Sequence, residues 1–196
     1  MDNKYSALQI FMLQMQMGEE AWQDMRQRLT VKICLKKQQL VTEGKPAGEI
    51  YFITKGSFRF YKIIDGIEVT TFFSFENQWT GAYTSYTNRT PAGITIEAME
   101  DAEVLALHYD DLQQLYQKHR SAERFGRLMA EYLVSCLEDR MHSLLLKTPE
   151  ERYLKTLTDH SIYFERVPQH YIASYLGVAP ESLSRIRKRV MQRAIS

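Results

Sequence analysis

The chain has 196 residues, 44% of them apolar and 25% charged, with a net charge of +1 at neutral pH. That is enough length for one large or two small domains with a proper core. No apolar run approaches membrane-spanning length, and Ile10-Phe11-Met12-Leu13, broken at once by Gln14 and Gln16, is too short for a secretory leader. The two cysteines, Cys34 and Cys136, form no disulfide framework, so cytoplasmic residence with reduced thiols is expected.

Residues 6–29 read as an amphipathic helix with Leu8, Phe11, Met12 and Met15 on one face. Met and Phe in that stripe are expected to pack on the next domain. From Val31 the pattern becomes short β-rich runs at 31–35, 39–41, 50–54, 57–64, 68–75, 93–98 and 103–107. Turn residues separate them, and Asp65-Gly66 between two β-branched and aromatic runs is the strongest hairpin signal. Many short strands of this spacing predict a sandwich or jelly-roll barrel.

Residues 109–117 read as a short helix opened by Asp110-Asp111, which suits the positive end of its dipole. A longer helix follows, with Ser121 as its expected cap and Lys147 as its end. Its apolar residues (Phe125, Leu128, Met129, Tyr132, Cys136, Leu137, Met141, Leu144 and Leu145) cover more than one side. A helix apolar on two sides needs two partners. One is the β domain. The other is a second copy of the helix in another subunit, unless the whole surface is buried within its own chain. Thr148-Pro149 opens a further helix, Thr148 as cap and Pro149 in the first position, expected to span 148–161.

The last thirty residues read as two short helices joined at Gly177. Tyr171, Ile172, Tyr175 and Leu176 give the first a buried face; Leu183, Ile186 and Val190 give the second its stripe. Gly177 suits a left-handed helix end, and Pro180 and Glu181 suit a helix start. This is a helix-turn-helix pattern. Residues 165–196 carry six basic and two acidic side chains, a net +4, while the remainder sums to −3. Positive charge concentrated on such a module fits recognition of a DNA backbone; the plain alternative is a solvated basic helix capping a small bundle.

A β-barrel, a long helix and a helix-turn-helix in that order resemble the Crp/Fnr family of bacterial transcription regulators, and the chain looks like the shorter Crp-like proteins of Bacteroidetes. The residues that carry the resemblance are Glu43-Gly44, the run Tyr51 to Tyr61, the Asp65-Gly66 hairpin, the run Ile96 to Leu105, and Ile172 to Ile186. The resemblance implies a mainly β plus α protein: a cyclic-nucleotide-binding-like β-roll sensor (1–120), a dimerisation helix (121–147) and a winged-helix-like DNA-binding domain (148–196). Its wing is expected to be short or absent, since the chain stops at Ser196. It implies a homodimer on double-stranded DNA, with RNA polymerase as a further partner and no membrane. Base reading falls on Glu181 and Arg185, a carboxylate for cytosine N4 and a guanidinium fork for guanine N7 and O6. The plain alternative is an intrahelical ion pair. Ser182 and Ser184 flank them, and Gln169, Tyr171, Arg187, Lys188 and Arg189 are placed for phosphates.

The family pattern departs at the sensor. Gly81-Ala82 stands where cyclic-AMP binders have Gly-Glu, and Ala92-Gly93 where they have Arg-Ser/Thr; Arg89-Thr90 lies three residues early. Cyclic nucleotide is therefore not expected, because a phosphate desolvated without its charge partner is costly. Candidate pocket residues are Phe73, Gly81, Ala82, Tyr83, Arg89 and Thr90, with Phe75, Trp79 and Tyr86 completing an aromatic cluster that fills the pocket or greets a less charged ligand. Two cysteines cannot hold an iron–sulfur cluster, and His108, His119, His142, His160 and His170 show no ligand spacing, so no cofactor is expected. No nucleophile elbow, phosphate loop or clustered His/carboxylate set suggests an enzyme. The rival reading is a ligand- or partner-binding β-roll whose helix-turn-helix no longer binds DNA.

Overall fold

A computed structural model describes residues 3–195. After a 3-10 turn at Asn3–Tyr5, two helices, α1 (Ser6–Gln14) and α2 (Glu19–Arg28), stand where the sequence suggested one. The break falls at Gln16, which takes a positive φ of 59°. Leu8 and Met12 are buried on α1, and Ala21, Trp22 and Met25 on α2.

Among the described residues eight strands follow: β1 (Thr30–Cys34), β2 (Gln39–Val41), β3 (Glu49–Lys55), β4 (Phe58–Ile64), β5 (Ile67–Ser74), β6 (Trp79–Thr80), β7 (Thr95–Ala98) and β8 (Ala102–His108). They form two four-stranded sheets, in the orders β1-β8-β3-β6 and β2-β7-β4-β5. Asp65 and Gly66 both take positive φ at the β4–β5 turn, as a tight hairpin requires. Helix α3 (Tyr83–Asn88), which the sequence pattern did not announce, sits between β6 and β7. Helices α4 (Tyr109–Lys118) and α5 (Arg120–Leu146) come next. Because α5 begins at Arg120, Ser121 lies inside its first turn instead of capping it.

The chain divides into two compact units, residues 1–62 with 73–132, and residues 63–72 with 133–196. In the first, Phe52, Leu105 and Leu107 of the β1–β8–β3–β6 sheet join Leu8, Met12, Trp22, Met25, Leu112, Leu115 and Phe125 in one core. Gly126 on α5 is required there, since a Cβ would collide with the Tyr116 hydroxyl. Asp24 anchors α2 by accepting from Lys118 and Arg28 and by bonding to His119. Those partners hold its carboxyl well below the usual range.

The second unit holds α6 (Pro149–Asp159), α7 (Ser161–Arg166), α8 (Gln169–Leu176) and α9 (Pro180–Ile195). The helix read above over 148–161 is α6, capped by Thr148 and ending two residues early at Asp159; α7 follows from Ser161, after His160 leaves helical geometry. Thr148 caps α6 reciprocally with Glu151, and Pro149 takes the first turn. The Thr148 backbone and hydroxyl donors lower the Glu151 carboxyl. No helix among the described residues is long and apolar enough to cross a membrane.

Candidate nucleic-acid interface

The geometry of the C-terminal motif begins with how α8 ends. Gly177 adopts the left-handed conformation, φ 67° and ψ 39°, which glycine reaches without a Cβ penalty. Its N–H donates to Ser174 O and that of Val178 to Ala173 O, a Schellman pairing. Two carbonyls of the last turn remain. Arg152 Nε donates to Leu176 O at 2.9 Å while its Nη1 donates to Lys147 O at 2.7 Å. Arg140 of α5 donates to Tyr175 O and lies 3.7 Å from the Tyr175 ring centroid. Every carbonyl left over at the end of α8 is thereby satisfied, and the turn that aims α9 is fixed by two arginines from other helices. Burial lowers the Arg140 pKa and raises that of Tyr175, but a guanidinium stays charged across the ordinary pH range.

Around that turn the apolar residues close a small core. Ile172, Ala173, Tyr175, Leu176, Leu183 and Ile186 are buried with Tyr153, Tyr163 and Val167. Tyr163 meets Tyr175 edge-on at 5.6 Å. Within the same unit Ser174 accepts from Thr70 N–H at 2.9 Å and donates to Glu68 O.

Burial of Leu183 and Ile186 decides what α9 offers to solvent. Glu181, Ser184, Arg185, Lys188 and Arg189 are exposed, and Ser182 and Arg187 are half-buried. Glu181 and Arg185 share a face one turn apart, and among the described residues neither is held in an ion pair or hydrogen bond. Ser182, Arg185 and Arg189 line a groove of about 300 Å³ with Pro149, Val178 and Ala179. Gln169 is exposed at the start of α8, and Tyr171 is half-buried beside the His170 ring. Arg189 and Arg193 both reach Glu150 of α6, Arg189 at 3.3 Å.

The candidate ligand pocket is a different kind of place. Phe73 is 1% exposed, and Phe75, Ala82 and Tyr86 are also buried. Trp79 and Tyr86 turn toward the helix-covered core: Trp79 packs on Phe52 and Phe125, and Tyr86 on Tyr109. Gly81 lies against Ile50. Tyr83 is exposed, and so are Arg89 and Thr90. Arg89 ends α3 in a left-handed conformation with its guanidinium 4.7 Å from the Tyr109 ring centroid. The Thr90 carbonyl accepts from Ser85.

A buried arginine of the roll went unnoticed in the sequence: Arg59 is 1% exposed and lies directly opposite Glu97 in the β4–β7 register. Its Nη2 is 3.6 Å from the Glu97 carboxylate, which also takes Lys37 at 3.1 Å, and the Arg59 guanidinium stacks on Tyr61. Arg140, Arg152 and Glu150 were missed as well. Only Arg152 left a trace, an arginine on the face of α6 that also carries Tyr153 and Thr156. Among the described residues no group of three or more His, Cys, Asp or Glu side chains could hold a metal ion.

Residues 32–119 match the sequence model of the cyclic nucleotide-binding domain. The transcriptional activator protein anr of Pseudomonas aeruginosa is 27% identical over 177 residues, which cover 82% of this chain and 70% of that one. FixK2 from Bradyrhizobium japonicum superposes with a TM-score of 0.71 at 21% identity, over 85% of this chain and 86% of that one. A protein from Eubacterium rectale described as a regulator of the Crp/Fnr family superposes with a TM-score of 0.69 at 15% identity, over 92% of this chain and 87% of that one.

Proposed function

We propose that this chain, a member of the Crp/Fnr family of transcriptional regulators, is a cytoplasmic, sequence-specific DNA-binding protein that works as a homodimer. The observation that carries the reading is the exposed Glu181 and Arg185 pair, one turn apart on α9 and unengaged among the described residues. A carboxylate and a guanidinium that ignore each other at this spacing are available to cytosine N4 and to guanine N7 and O6. Lys188 and Arg187 follow with Gln169 and Tyr171 as phosphate contacts, which fix register without reading sequence; Arg189, expected beside them, instead contacts Glu150. Residues 148–196 form the DNA-binding part in this reading and residues 1–120 the sensor.

The dimer is supported by the second half of α5. Val134, Leu137, Met141 and Leu144 are exposed at alternating spacings of three and four, the seam of a two-stranded coiled coil. Leu145, 74% exposed, widens it. Two such chains place two α9 helices on successive major grooves, so the site should be a pseudo-palindrome with half-sites about 34 Å apart.

The sensor does not hold cyclic nucleotide in this reading. Ala82 is buried and offers no carboxylate for a ribose, Arg89 is engaged on Tyr109, and Phe73 and Phe75 are packed in the interior. The test of the whole is selection of bound duplexes from a random pool, followed by a salt titration. Enrichment of a two-fold site, with affinity falling steeply as salt rises, is the expected outcome. A chain that binds no duplex at low salt would instead be a partner-binding β-roll.

A further inference from the structure

The basic side chains of α9 are not equivalent. Among the described residues, Arg185 and Lys188 make no ion pair, whereas Arg189 and Arg193 converge on the carboxylate of Glu150. Glu150 sits in the first turn of α6 with its side chain 22% exposed, next to Pro149, which lines the same groove as Ser182, Arg185 and Arg189. It is not needed for the helix cap, since Thr148 and Glu151 supply both halves of that box. A carboxylate bridging two guanidinium groups makes the same charge-assisted contacts that a DNA phosphate would make with them.

The geometry points to Glu150 as a specificity-determining residue: its carboxylate occupies Arg189 and Arg193 and so withholds them from the DNA backbone. This rests on the DNA-binding reading above and deepens it. A phosphate approaching either arginine has to displace one charge-assisted contact to make another, so the exchange is close to balanced. It also meets the repulsion of Glu150 itself. Backbone attraction, which favours every sequence alike, is thereby held down. Arg185 and Glu181, outside the clamp, keep their full discrimination between bases.

The test measures binding of the full chain to an arbitrary duplex and to the selected site across a salt series. Glu150→Gln removes the charge with little change of shape. It is expected to bind the arbitrary duplex roughly tenfold tighter at low salt, with a log–log salt slope steeper by about 1 to 2, near 0.9 for each phosphate gained. The selected site should gain less, so the ratio of specific to non-specific affinity falls. Glu151→Gln, which removes the same charge one residue away, should leave the slope nearly unchanged. Adding Glu150→Gln to a chain already carrying Arg189→Gln and Arg193→Gln should have little further effect. An unchanged slope in Glu150→Gln, weaker binding by it, or an equal effect from Glu151→Gln overturns the proposal. Failure of the unaltered chain to bind any duplex removes the reading beneath it, and the proposal goes with it.

Discussion

The same two side chains, a glutamate and an arginine, meet opposite fates in two parts of this molecule. In the β-roll, Arg59 and Glu97 are 1% and 8% exposed and face each other across β4 and β7. On α9, Glu181 and Arg185 stand in solvent with no ion pair between them. Burial forces the first pair together, because an ion out of water must be matched by an opposite charge. Exposure leaves the second pair free, because water solvates each end as well as a partner would and an exposed pair gains little. The roll therefore spends its charges on its own interior, whereas α9 keeps Glu181 and Arg185 for something outside even though its Arg189 and Arg193 meet Glu150.

That contrast can be broken in several ways. The largest effect is expected at Arg59. Arg59→Met leaves the Glu97 carboxylate buried beside Lys37 without its second cation, and should cost about 3–5 kcal/mol of unfolding free energy in a urea titration. The double variant with Glu97→Gln should recover much of that loss; no recovery would mean that Arg59 acts through something other than Glu97. Next comes α9. Arg185→Ala or Glu181→Ala should cost roughly 1–3 kcal/mol of binding at particular base pairs, measured by competition between site variants, while urea stability changes by no more than about 0.5 kcal/mol. A uniform loss on all duplexes would show that these side chains grip the backbone instead.

Smaller again, Thr148→Ala removes the hydroxyl of the capping box, and about 1 kcal/mol of stability should go with it. The faintest effect is that of mild acid. Asp24 has a depressed carboxyl pKa because Lys118, Arg28 and His119 bond to it. Its contribution is complete above the unfolded carboxylate pKa, about 3.9, and is lost as pH falls below that toward the folded value. Lowering pH from 7 to 5 should therefore leave the difference in melting temperature between the wild-type chain and Asp24→Asn unchanged. Below about pH 4 the difference should shrink. A difference already shrinking at pH 6 would mean that Asp24 is not the group responsible.

Much of the architecture could be read from the residues in order. Period-two runs with Asp65-Gly66 between them specify strands and a hairpin, since side chains alternate faces along a strand. Gly177 specifies the end of α8, because a residue at positive φ has few alternatives there. Thr148-Pro149 with Glu151 specifies the start of α6 for the equally local reason that three neighbours satisfy one another's backbone groups. The α1–α2 break was not read, because Gln16 carries no signal for the left-handed turn it makes, although Gly18-Glu19-Glu20 does mark the start of α2. The limits of α5 were blurred at Ser121, a residue that suits a cap but also fits within a first turn.

The exposed face of α9 was legible too, because burying Leu183 and Ile186 dictates which neighbours point outward. Its supports were not. Arg140 and Arg152 reach the end of α8 from other helices, Glu150 meets Arg189 and Arg193 from α6, and Glu97 meets Arg59 only through strand register. The chain by itself determined the local choices, namely which segments coil, extend or turn and which sides are apolar, since those depend on neighbours along the backbone. Which charges are neutralised and which stay open was decided only when distant segments came together, because a charge is worth what its surroundings make of it and the fold supplies those surroundings.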